Sequence, residues 1–333
     1  MRRRRVSLLP TGTLEVMTVP IPKRRRIFAW VAWATLAFNL AVIGGGTIVR
    51  ATGSGDGCGE TWPKCGDQFI PPNATVETLI EFSHRASSFF AGLGVAALFL
   101  VALWAFERGH IVRRAATVAA VLLIIEALLG AALVLFSWVD DDISVGRMIA
   151  VSLHLTNTFL LLAALTLTAW WGSGKPPPSR PLPKGTTRWL MIGALSLLVL
   201  GATGALNAIA DAVFPADSLI DGIADEFGPT APALLRLRII HPILAVLGGI
   251  FVAWIAVKQS ATASRSAQRL SAVFTVIVLS QLFIGVANIL LLTPLAVQVL
   301  HLFVADMLWI VYVVFSAATV AVDELAHDPV GAR

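Results

Sequence analysis

The sequence predicts an all-α membrane protein, with eight transmembrane helices arranged as two pseudo-symmetric four-helix bundles. Three observations lead there. Apolar residues make up 57% of the chain and charged residues only 14%, against roughly 25% charged in a soluble domain. Eight charge-sparse stretches are long enough to cross a ~30 Å hydrocarbon core at ~1.5 Å rise per residue. The residue pattern of the first four stretches also recurs in the last four.

The stretches run over approximately 27–49, 79–105, 115–138, 148–171, 188–210, 236–257, 270–292 and 295–320. The Arg2–Arg5 run ahead of the first could be the start of a cleaved signal peptide. The apolar span that follows is about 23 residues long with no small-x-small exit, so it reads as a retained helix. Basic loops stay in the cytoplasm. With the N-terminus inside, the inner segments 1–26, 106–114, 172–188, 258–269 and 321–333 hold eight, three, four, three and one Lys or Arg, 19 of the 25 present. Most acids, among them Asp140, Asp141, Asp142, Asp211, Asp217, Asp221, Asp225 and Glu226, fall outside. Both termini are therefore expected in the cytoplasm. The same asymmetry accounts for the basic pI, and no nucleic-acid partner is implied.

In this orientation the second, fourth, sixth and eighth stretches run from outside to inside. Each carries one histidine near its outer end, namely His84, His154, His241 and His301, and the other four stretches carry none. An ionisable ring in hydrocarbon is costly without a partner. One such histidine is most simply a hydrogen-bonding link between helices, but four at one depth point to a metal. The halves repeat: E-F-S-H-R-A-S-S-F-F-A-G-L-G (81–94) matches R-I-I-H-P-I-L-A-V-L-G-G (238–249), and E-A-L-L-G (126–130) matches Q-L-F-I-G (281–285). This parallel repeat pairs His84 with His154 and His241 with His301, with the Pro-rich basic linker between. Two imidazoles facing across a bundle suit a six-coordinate haem. Zinc or copper would want further ligands, and no Cys, Asp or third His shares a helical turn with them. His110 and His327 carry no such pattern and are expected to be solvated.

Haem propionates need cationic partners. Arg85, Arg236 and Arg238 stand beside His84 and His241, either for that purpose or snorkelling to the interface. Glu81 precedes His84 by three residues and so shares its helix face, whereas the matching position in the second half is Arg238. One site is thereby marked for chemistry, with Glu81 as a proton acceptor, and the other for electron transfer; the alternative is a Glu81 merely paired with Arg85. Glu126 is read as the other intramembrane acid. Its counterpart is Gln281, which favours a neutral hydrogen-bonding role. The two cysteines, Cys58 and Cys65, lie in G-S-G-D-G-C-G-E-T-W-P-K-C. On the oxidising face their spacing readily closes as a disulfide, a clamp over the first site or a redox pair.

Together, the R-A-T-G-S-G after the first helix, the C-x6-C loop with its W-P, the E-x-x-H-R opening the second helix and the single histidines on the fourth, sixth and eighth helices resemble the haem A synthase family. The resemblance covers nearly the whole chain beyond the first 26 residues and before the tail. It implies an oxidoreductase that converts the C8 methyl group of haem O into a formyl group, making haem A for terminal oxidases. It further implies haem O as substrate on His84 and His154, haem b as cofactor on His241 and His301, Glu81 as the essential glutamate, and a Cys58–Cys65 disulfide. The organisation would be a basic cytoplasmic segment (1–26), an N-terminal bundle for haem O (27–171), a linker (172–187), a C-terminal bundle for haem b (188–320) and a cytoplasmic tail (321–333). Two departures touch the loops: Thr61 stands where the family often has Asp, and 211–235 lacks the second cysteine pair some members carry.

The implied setting is the cell membrane, in contact with the lipid bilayer and an electron partner the sequence does not identify. Small residues such as Gly44–Gly46, Gly201 and Gly204 could serve helix packing within the chain, a homo-oligomer or contact with a haem O-producing enzyme alike. The competing reading is a bis-histidine b-type cytochrome relaying electrons from quinol, which gives no reason for Glu81 to occur in one half only. A thiol oxidant using Cys58 and Cys65 would need a second reactive pair that the chain lacks.

Overall fold

A computed structural model describes residues 2–8, 14–20, 23–72, 74–179 and 181–321. Ahead of the first helix, β1 (Arg2–Leu8) and β2 (Leu14–Pro20) pair antiparallel with Arg2 opposite Pro20. The reading from charge alone expected no strand there, although Val6, Val16, Thr18 and Val19 flanking a Pro-Thr-Gly stretch are hairpin signals. Eight spans then follow that are long and apolar enough to cross a membrane: α1 (Lys23–Ala51), α2 (Val76–Ala105), α3 (Ile111–Leu135), α4 (Val145–Gly172), α5 (Lys184–Val213), a sixth span in two pieces, α9 (Arg265–Leu290) and α10 (Leu295–Thr319). A short helix, α6 (Leu219–Glu226), precedes the broken span, which consists of α7 (Ala233–Leu237) and α8 (Ile240–Ser260). The all-helical membrane class thus holds across the eight spans.

Most helices extend a turn past the apolar stretches, because their ends are set by capping groups that hydropathy does not register. Thr75 caps α2 by accepting from the Thr78 N–H at 3.3 Å, and Ser144 caps α4 by accepting from the Arg147 N–H at 3.1 Å. Side-chain oxygens here satisfy amides that have no partner inside the helix. His110 is not simply solvated, as the sequence reading had it. Its Nδ1 accepts from the Val112 N–H at 3.2 Å as the cap of α3, and its ring packs on Phe106 with centroids 4.6 Å apart. His327 lies outside the described residues. The break between α7 and α8 has a covalent cause: Pro242 has no N–H to donate, and its ring crowds the carbonyl four residues back, that of Arg238.

Spans α1 to α4 pack neighbour on neighbour, with α1 closing on α4. Helices α5, α8, α9 and α10 do the same, with α10 closing on α5. The groups meet along α4 against α5 and α10, and along α1 against α10. The largest buried side chains, among them Phe28, Leu98, Leu165, Phe274, Tyr312 and Phe315, fill these seams. Leu100, Ile124, Leu128, Leu195, Ile250 and Phe283 point outward, as expected where lipid rather than water is the solvent. Trp309 on α10 donates its indole N–H to the Phe159 carbonyl on α4 at 2.5 Å, and the Tyr312 hydroxyl donates to the Leu190 carbonyl on α5 at 2.7 Å. The end of the molecule away from the four histidines carries a belt of cations on aromatic rings: Arg24 over Trp104, Arg25 over Phe106, Lys175 over Trp170, and Lys258 over both Trp189 and Trp254. There too the linker is tied down, with the Ser179 N–H donating to the Val320 carbonyl at 2.8 Å.

The indole bond across the seam predicts that Trp309→Phe, which keeps most of the packing and removes the donor, lowers stability by about 1 kcal/mol. Thermal unfolding in detergent followed by circular dichroism measures this; an unchanged midpoint would show that the bond does not hold the seam.

Candidate functional site

The four histidines lie between six and nine residues inside their spans, each seated against a glycine of a neighbouring helix. A Cβ placed on Gly46 of α1 would stand 3.1 Å from His84 Cε1. On Gly130 of α3 it would stand 3.7 Å from His154 Cε1, on Gly204 of α5 3.0 Å from His241 Cε1, and on Gly285 of α9 3.2 Å from His301 Cε1. In every case the odd-numbered span supplies the seat and the next span supplies the ring. Without a side chain at the seat, the imidazole can lie against the backbone. Gly45, Gly46 and Gly204 are therefore occupied within the chain, as is Gly201, whose added Cβ would meet Phe159 at 2.5 Å.

His84 and His154 are near enough for a charge on one to act on the other, and the same holds for His241 and His301. Nδ1 of His84, His154 and His301 is buried with no hydrogen bond of ordinary geometry, and Nδ1 of His241 has Thr203 Oγ1 at 3.2 Å. No group of three or more His, Cys, Asp or Glu that could cage a metal ion occurs among the described residues, so paired imidazoles are the ligand set on offer. They fit a bis-histidine haem.

A group one turn before each seat glycine addresses the ring. In α1 and α5 it is backbone, from Val42 and Leu200. In α3 and α9 it is a side chain: Glu126 Oε1 lies 3.4 Å from His154 Nδ1, and Gln281 Nε2 lies 3.2 Å from His301 Nε2 and 3.1 Å from the His301 carbonyl. Glu126 also accepts from Asn157 Nδ2 at 2.6 Å and from the Thr158 hydroxyl. It does link helices, as the sequence reading expected, and in addition it reaches a histidine.

At the histidine end, Glu81 is buried. Its Oε2 accepts the Cys58 N–H at 2.6 Å, and its Oε1 pairs with Arg85, whose Nε is 2.9 Å away. Arg85 spans onward to the carbonyls of Thr61 at 2.5 Å and Lys64 at 2.6 Å. Cys58 and Cys65 are disulfide-bonded. The carboxylate, the guanidinium and the cross-linked loop form one clasp over the first pair of histidines.

In the second half Arg238 donates to Glu226 at 2.7 Å and to the carbonyls of Phe214 and Gly222, both at 3.1 Å; Asp211 lies 3.7 Å away. Arg236 donates to the carbonyls of Gly228 and Pro229 at 3.2 Å. The contrast between Glu81 and Arg238 is therefore muted, since each is neutralised by its own neighbours.

Three functional-looking residues escaped the sequence reading. Asp306 is a third intramembrane acid, fully buried in α10 with Oδ1 unpaired; its signal was plain, a lone Asp within L-F-V-A-D-M-L. Arg50 donates to the Ala208 carbonyl at 2.6 Å and to Gln298 Oε1 at 2.7 Å, tying α1 to α5 and α10. Buried Arg147 donates to the carbonyls of Asp140 and Asp142. Both arginines looked like interfacial cations, and only tertiary contacts reveal their roles.

A family model described as cytochrome oxidase assembly protein matches residues 29–313. Among curated proteins, the chain is 42% identical over 290 residues to a protein named protoheme IX farnesyltransferase from Thermus thermophilus, covering 86% of this chain and 47% of that protein. It is 37% identical over 144 residues to a protein named heme A synthase from Geobacillus kaustophilus, covering 42% and 44% of the two chains. A second heme A synthase, from Bacillus mycoides, is 35% identical over 144 residues, with 43% of each chain covered. The chain spans about half the length of the curated relatives it matches.

Because a Cβ on Gly204 would already stand 3.0 Å from His241 Cε1, Gly204→Leu is expected to displace the ring and lower the pigment content of the purified protein. Absorbance spectra of the reduced protein test this; full pigment content in the variant would show that the seat does not position the ring.

Proposed function

The chain belongs to the cytochrome oxidase assembly protein family that includes the haem A synthases, and from that premise we propose that it oxidises the C8 methyl group of haem O to a formyl group, yielding haem A. The observation that carries the reading is the set of four glycine-seated imidazoles, one on each of four alternate spans. In this reading His84 and His154 hold the substrate haem O, and His241 and His301 hold a haem b. Haem b would supply one-electron acceptance.

This chain's own residues do the rest. The clasp keeps Glu81 about one turn from His84, where it accepts a proton as the methyl group is oxidised. The disulfide loop closes the histidine end of the first half. Arg85, Arg236 and Arg238 receive propionates by exchanging backbone carbonyls for them, a favourable swap for guanidinium. Two successive two-electron oxidations, each adding the oxygen of one water molecule, give a geminal diol, which loses one water to leave the aldehyde. Four electrons and four protons leave in all, so an external electron acceptor is required. A substrate iron held by two imidazoles has no vacant position for dioxygen, which argues against oxygen rebound there.

In this reading the protein sits in the plasma membrane, and the distribution of Lys and Arg supports a cytoplasmic position for the basic, aromatic-belted end and both termini. The farnesyltransferase name belongs to relatives of about twice this length, and the present chain spans less than half of them. It supports a haem O-producing enzyme as partner rather than farnesyl transfer by this chain.

Extraction of the pigment and its identification by mass tests the proposal. Haem A or haem O beside haem b is expected, whereas haem b alone would replace the synthase with the electron relay. Glu81→Gln is expected to keep both haems and lose haem A formation at least a hundredfold, within the usual scale for general-base loss of ~10²–10⁴; wild-type turnover would remove Glu81 from the chemistry. His241→Ala is expected to abolish the haem b spectrum.

A further inference from the structure

The two halves place different groups against corresponding histidines, and the difference is not confined to one position. In the first half Glu126 stands 3.4 Å from His154 Nδ1, and its carboxylate is met by Asn157 Nδ2 at 2.6 Å and by the Thr158 hydroxyl. Asn157 is braced in turn on the Leu122 carbonyl at 2.9 Å. Asn157 and Thr158 follow His154 by three and four residues. The residues that follow His301 by three and four are Val304 and Ala305, which can donate nothing. Opposite them stands neutral Gln281, whose Oε1 is buried without a partner.

Three positions thus change together between the repeats: Glu to Gln, Asn to Val, and Thr to Ala. A lone carboxyl group in hydrocarbon is expensive, and an amide and a hydroxyl aimed at it satisfy its oxygens there. Packing alone gives no reason to build such a group in one half and omit every part of it in the other.

We infer that Glu126 is a positioning residue for His154: it anchors the Nδ1 side of the ring, leaves Nε2 for the metal, and makes this imidazole a stronger electron donor than its counterpart His301. Carboxylates behind metal-bound histidines act in this way generally, fixing the ring and raising its basicity. A stronger donor favours the oxidised metal, so the first-half haem takes the lower reduction potential and the second-half haem the higher. Electrons withdrawn at the first site then run downhill to the second. The offset lies inside the membrane, away from the mouths where Glu81 and Arg238 are each neutralised by neighbours.

The inference rests on the bis-histidine haem reading, and the test separates the two. The full-length protein is purified with its haems and titrated by optical spectroelectrochemistry, the two waves being assigned by His154→Ala and His301→Ala. A wild-type protein without two haem waves would overturn the functional reading itself. Given two waves, Glu126→Gln is expected to raise the reduced-to-oxidised ratio of the first-half haem about tenfold at fixed potential, ~59 mV for a one-electron couple. The second-half wave should stay in place, and the low-spin electron paramagnetic resonance g-values of the first-half haem should shift. Should Glu126→Gln not retain its haem, the graft Gln281→Glu with Val304→Asn and Ala305→Thr reads the effect in the other half, where the wave should move to lower potential. Unmoved waves and g-values in a haem-retaining Glu126→Gln protein, or an unmoved second-half wave in the graft, would overturn the inference.

Discussion

The structure depends on an imidazole edge lying against a glycine of the neighbouring span. Lipid supplies no hydrogen bonds, so each ring must find its polar partners inside the protein, and it can do so only if the neighbouring backbone comes within contact distance. The seat glycines of α1, α3, α5 and α9 provide that approach. This fixes which helices must be neighbours: α1 with α2, α3 with α4, α5 with α8 and α9 with α10, which are the contacting pairs observed. The helix that bears each histidine and the helix that seats it make one unit, and the molecule is assembled from four of them.

At the histidine end, charge is handled largely by local cancellation. Glu81 with Arg85, and Arg238 with Glu226 and Asp211, sit at the histidine end and answer one another. Bringing the pairs together there lets the loops carry function without leaving isolated charges next to lipid. Glu126 differs in having two neutral donors and no cation as its hydrogen-bond partners. It shares the interior with Asp306, a buried acid of α10 in the seam region that joins the two halves.

Much of this was legible in the sequence, because hydropathy and the placement of four histidines are coarse, robust signals. The eight spans and the disulfide could both be read from residue types and spacing. The helix ends could not, since Thr75, Ser144 and His110 cap through single hydrogen bonds that leave no trace in an apolar average. Nor could the destination of a long side chain. Arg50 looks like any interfacial cation until α5 and α10 are folded beside it. Glu126 and Gln281 were visible as a mismatched pair, but only packing shows that Asn157 and Thr158 belong with the glutamate. Asp306 was legible and passed over, because one acid among apolar neighbours is easily absorbed into a span.

The two mouths also differ mechanically. On one side of the molecule the chain before His84 is cross-linked through Cys58 and Cys65 and buttoned to α2 by Glu81 and Arg85. On the other, the approach to His241 is a short α7 detached from α8 by Pro242, with no cross-link. Bending at a proline-interrupted joint disturbs fewer backbone bonds than bending an intact helix. One half of the protein is consequently stiff at the histidine end, and the other has compliance there. Any movement that admits or releases a bulky guest at that surface is cheapest around the joint before His241, while the cross-linked side serves as the fixed frame against which it moves.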